Sequence, residues 1–148
     1  MTHQIKLNVQ KKFPDLEYDA FEKTSEADWQ YNCIAWSVSN AGKWWWPDPM
    51  NQAYWPPNAK REVTIEAFIE AYELLGYSVA ENAELEDGYS KVAIYVKDDE
   101  PSHAARQLPN GKWTSKLGPY VDIEHDTLAG LHGDEYGAVA EIMKKPAD

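Results

Sequence analysis

The sequence predicts an α+β fold, N-terminal helices packed on a C-terminal antiparallel meander sheet. A helical apolar stripe occupies residues 64–75, and an Asn-Gly turn signal separates two extended runs between residues 103 and 117. The helical patterns come first and the strand patterns follow, an order that favours α+β over alternating α/β units. At 148 residues the chain fits one domain spanning 1–148, with residues 1–28 as a packed arm.

The arm offers Ile5, Leu7, Val9, Phe13 and Leu16 as scattered apolar anchors, and no helix is assigned to it. Thr24, Ser25, Glu26, Ala27 and Asp28 supply capping and turn residues ahead of the one cysteine. From Cys33, the positions Ile34, Ala35, Val38 and Ala41 recur at helical spacing until Gly42, which puts Cys33 in a first helical turn. Trp44-Trp45-Trp46-Pro47 and Tyr54-Trp55-Pro56-Pro57 are too rich in proline for regular structure, so their order must come from aromatic packing. Thr64 caps a helix whose stripe is Ile65, Phe68, Ile69, Tyr72 and Leu75, with Gly76 as its stop. A short strand is expected at residues 77–80 and a strand covered on both faces at 90–97, ended by Asp98-Asp99-Glu100-Pro101. Pro109-Asn110-Gly111-Lys112 then turns one strand into the next. Tyr136, Val139, Ala140 and Met143 read as the stripe of a closing helix over residues 136–145, with Lys144 and Lys145 at its negative end.

Composition narrows the function classes. With 14 Lys plus Arg against 25 Asp plus Glu, the net charge is -11, so nucleic acid and anionic membranes are not the expected partners. The expected partner is a protein or peptide, as substrate or ligand. No run of apolar residues reaches membrane-spanning length, and the first residues carry no secretion signal, so a cytoplasmic, soluble protein is expected. A single cysteine forms no internal disulfide. His103, Asp122, His125 and Asp126 are metal-ligand types without tight ligand spacing, and no cofactor motif is present, so neither metal nor cofactor is expected.

A thiol in a first helical turn is a nucleophile if a base stands beside it, and a small core residue if none does. His103, at the head of a strand, is the candidate base for Cys33. Asp122 is the first choice to orient its imidazole, with His125 and Ser115 as further candidates, and Asn32 or Gln30 could assist an oxyanion. Trp44, Trp45, Trp46 and Trp55 have two readings, a stacking surface for sugars or a loop wrapped on the core. Arg106 and Lys116 read as surface charges, with pairing to the acidic patch near Asp122 as the second reading.

Asn32-Cys33-Ile34-Ala35-Trp36 and Ser102-His103-Ala104-Ala105 resemble the two motifs of papain-like cysteine hydrolases of the cell-wall-peptidase type. That resemblance implies a papain-like arrangement and a Cys33–His103 pair acting on an amide or thioester. A broader set, Tyr31-Asn32-Cys33-Ile34-Ala35-Trp36, His103-Ala104-Ala105-Arg106-Gln107-Leu108, Trp113-Thr114-Ser115-Lys116-Leu117-Gly118 and Asp122-Ile123-Glu124-His125, is similar to an uncharacterised bacterial domain family. The alternative function is a non-enzymatic acidic binding or inhibitor protein, with a glycan-binding module as a third reading.

Overall fold

The computed structural model describes residues 3–17, 20–40 and 42–147. Ala41, the last apolar position of the helical pattern begun at Cys33, lies outside them. Seven strands form one antiparallel sheet in the order β1-β6-β5-β4-β3-β7-β2. They are β1 (Phe21–Ser25), β2 (Ser78–Val79), β3 (Tyr89–Lys97), β4 (Glu100–Gln107), β5 (Trp113–Lys116), β6 (Asp122–His125) and β7 (Ala138–Pro146). The helices are α1 (His3–Lys12), α2 (Cys33–Ser37) and α3 (Ile65–Leu74), with a 3-10 turn at Ala129–Leu131. The fold is therefore α+β, a few short helices on an open sheet.

Side-chain alternation along β3 sends Val92 and Ile94 to one face and Ala93 and Tyr95 to the other, and all four are fully buried. One face carries α2, α3 and the tryptophan loop, packed with Ala104 and Met143. Its opposite carries Val9 of α1 with Phe13, Leu16, Ala105, Trp113 and Ile123. Burial on both faces explains why β3 reads as a continuous apolar run.

The α3 helix begins where Thr64 Oγ1 accepts from Ala67 N–H at 3.2 Å, and it stops before Gly76 at φ 97°. Its buried face is Ala67, Phe68, Ala71 and Tyr72. Asp98 and Asp99, both at positive φ, make a two-residue hairpin that joins β3 to β4 rather than simply ending a strand. Gly111 at φ 88° closes the Asn-Gly hairpin between β4 and β5.

Two sequence expectations are corrected. The arm holds a ten-residue helix, α1, and a strand, β1, that pairs with β6 at the sheet edge. Residues 136–145 are not a helix: β7 runs antiparallel to β3 from Val96↔Ala138 to Tyr89↔Pro146, and β2 pairs with its outer side. Its apolar positions satisfy helical spacing, but ladders on both sides fix it as strand. α2 is also shorter than expected, ending at Ser37.

Candidate functional site

Asn32 sets the start of α2. Its extended backbone lets Oδ1 accept from Ala35 N–H at 3.2 Å and from Trp45 N–H at 3.0 Å, while Nδ2 donates to Trp45 O at 2.7 Å. Asn32 thus joins the start of α2 to the tryptophan loop. Gln30 is exposed, and its backbone N–H donates to Asp28 Oδ1, which leaves it outside the site.

Cys33 follows, 7% exposed. Burial dominates its thiol and pushes the pKa up to about 11, opposed by the backbone N–H groups of Ala104, Ile34 and Cys33 itself and by the charge of Lys116. The Ala104 contact lies where β4 and β5 part, their ladder consisting of Arg106↔Thr114 and Gln107↔Trp113.

His103, the residue before Ala104, is fully buried. Its Nε2 lies 3.0 Å from Ser115 Oγ, which lies 2.8 Å from His125 Nε2, and His125 Nδ1 lies 2.9 Å from Thr127 O. The chain of bonds has one neutral solution. Thr127 O accepts, so His125 Nδ1 carries the proton and its Nε2 is an acceptor; Ser115 donates to it and accepts from His103 Nε2–H. His103 Nδ1 is then a bare lone pair, and it has no hydrogen-bond partner, the Cys33 sulfur included. Burial, then the neighbouring His125, holds His103 well below its ordinary range, and burial takes His125 down to about 4. The Tyr136 ring stacks on His103 at 4.0 Å and 6°.

Asp122 is not the residue that orients His103. Its Oδ2 accepts from Tyr31 Oη–H at 2.6 Å, its Oδ1 stands 4.0 Å from Lys116 Nζ, and both charged side chains are fully buried. Burial raises the Asp122 carboxyl and lowers the Lys116 ammonium. Lys116 donates to Tyr120 O and lies over the Tyr31 ring at 5.1 Å, so it is a core cation rather than a surface charge. Arg106 stacks on Trp36, whose Nε1–H donates to Thr114 Oγ1 at 2.9 Å, tying α2 to β4 and β5. Of the lesser candidates, Ser115 is the residue hydrogen-bonded to the His103 imidazole and His125 is bonded to Ser115. The sequence signal for Ser115 was its place on the strand after His103.

The tryptophans turn inward. Trp45 and Trp55 are buried, Trp46 and Trp55 meet Phe68 at 5.5 and 4.9 Å, and Trp44 is half-buried, so these rings wrap the core rather than forming a stacking surface. The exposed tryptophan is Trp29. Among the described residues no three His, Cys, Asp or Glu gather as a metal site, and no helix is long and apolar enough to cross a membrane.

A family model described as a domain of unknown function, DUF7689, matches residues 22–144. The chain belongs to this family. The DUF7689 span contains Cys33, His103, Ser115, Asp122, His125 and Tyr136, whereas α1 precedes it. No curated protein and no solved structure matches the chain.

Proposed function

We propose that the chain is a papain-like cysteine hydrolase or acyltransferase acting on an amide or thioester, with Cys33 as nucleophile and His103 as general base. Ser115, backed by His125, is the positioning residue. The reading rests on the bond chain that leaves His103 Nδ1 as an unprotonated buried lone pair; the ring lies with Tyr95 and Tyr136 on the sheet face opposite the Cys33 core, so the pair requires an opening where β4 and β5 part. An orphaned buried acceptor is costly, and a base awaiting a proton accounts for it. In the reaction, Nδ1 takes the thiol proton as sulfur attacks the acyl carbon. The proton passes to the departing amine or thiol as its bond to that carbon breaks. Water, or an acceptor amine, then gives its proton to Nδ1 as it bonds to the acyl carbon, the carbon–sulfur bond breaks, and the proton returns from Nδ1 to the departing sulfur. The backbone N–H groups at the start of α2, those of Cys33 and Ile34, are the oxyanion donors this reading assigns.

The described state is shut, with both reacting groups buried and Tyr136 lying on the imidazole. Turnover requires that ring to move. Iodoacetamide labelling of Cys33, followed by mass spectrometry at neutral pH, tests this. The native chain should label more slowly than free cysteine, Tyr136→Ala should label faster than the native chain, and adding His103→Ala should remove that gain. A Tyr136→Ala variant without a gain, or a gain that survives His103→Ala, overturns the reading.

The sealed thiol also favours a second reading, a non-enzymatic acidic binding protein in which Cys33 only packs. It requires Cys33→Ser to leave the biological activity intact.

A further inference from the structure

We propose that the cavity between α1 and the turn after β5 is a binding site for a single-chain amphipathic anion, a carboxylate carried on an apolar tail. This does not depend on whether Cys33 reacts. The cavity holds about 600 Å³, within the usual range of small-molecule sites, ~300–1,000 Å³. Val9, Phe13, Leu117, Pro119, Tyr120 and Tyr136 supply apolar wall.

Its polar edge is unusual for so acidic a chain. Lys11 and Lys12 line the cavity, are exposed, and their side chains have neither an ion pair nor a hydrogen bond among the described residues. The helix dipole accounts for cations in the last turn of α1, but not for an apolar cavity opening beside them. Glu135 is the one carboxylate in the lining. Two positive charges less one negative leave +1 among the lining residues, and Asp15 and Asp134 border the adjoining cavity that the same lysines line, so a singly charged carboxylate suits the site better than a phosphate dianion. The tail would lie against Phe13, Leu117 and Tyr136. Tyr136 is also the ring stacked on His103, so an occupant would touch the residue that covers the imidazole.

Isothermal titration calorimetry below micelle-forming concentrations, with dodecanoate and dodecyltrimethylammonium as probes, decides the matter. Dodecanoate should bind saturably at one site and at least about tenfold more tightly than the cationic probe. Lys11→Glu with Lys12→Glu should lower dodecanoate affinity by at least about tenfold and abolish the preference, while Cys33→Ser changes neither. If the charge-reversed chain fails to fold, Tyr120→Trp, which narrows the cavity, should lose dodecanoate binding instead. Equal affinity for both head groups, absence of saturable binding, indifference to the substitutions, or a self-associated chain whose interface excludes dodecanoate overturns the proposal.

Discussion

Single residues carry the site through a few bonds with no substitute nearby. Among the described residues Ser115 is the one partner of both facing imidazole nitrogens, so Ser115→Ala strands His103 Nε2–H and His125 Nε2 in the core. We expect a loss of roughly 1–3 kcal/mol in urea unfolding, the usual penalty for unsatisfied buried groups. Asn32→Ala removes a helix cap and both bonds to Trp45, and should cost about 2–4 kcal/mol by the same measurement. The two effects differ in what else they move: Asn32→Ala should raise Cys33 labelling by loosening the start of α2, whereas Ser115→Ala frees the His103 ring without touching the cap. At this scale the sequence was legible where chemistry is local. Cys33 falls in the first turn of α2, where the apolar spacing that follows it put it, whereas the cap is Asn32 and not the polar run at residues 24–28. Asp122 stood first among the orienting candidates because carboxylate type and chain order do not reveal that Tyr31, 91 positions away, donates to it.

Elements were readable when their signal was self-contained. Thr64 to Gly76 carries its own cap, stripe and stop, and Asn110-Gly111 its own turn chemistry. β7 was misread because Tyr136, Val139, Ala140 and Met143 satisfy a helical period, and only the ladders with β3 and β2 select the extended form. α1 was missed for the opposite reason, a polar surface with Val9 as its one fully buried anchor. Gly137 is the hinge into β7: φ is 73°, and a Cβ there would stand 2.1 Å from Val96 O. Gly137→Ala should therefore push β7 away from β3 and cost at least about 2–3 kcal/mol. Hydrogen exchange should show the loss first in β7 and in the adjoining end of β3. Thr64→Ala, by contrast, should cost about 1 kcal/mol and leave the sheet protected.

The whole molecule shares its interior between two cores separated by one sheet, with ionisable groups embedded in both. His125 has a folded pKa of about 4, below the ordinary 6.5, so the unfolded chain takes up its proton first as pH falls. Its contribution is complete above about pH 6.5 and declines towards pH 4, a loss on the order of 3 kcal/mol for this residue, with His103 adding in the same direction. Urea midpoints should drop through that window, and His125→Gln should flatten the slope; a midpoint constant from pH 7 to 4.5 contradicts the buried neutral pair. The order of strands has a consequence for synthesis. β7 is made after every other strand but inserts between β3 and β2, and β1, made first, waits for β6. A ribosome paused before Ala138 therefore holds a chain whose longest central strand has a raw edge, open to pairing with a neighbour, and in which the Gly137 hinge that fixes Tyr136 over the imidazole has not yet been locked.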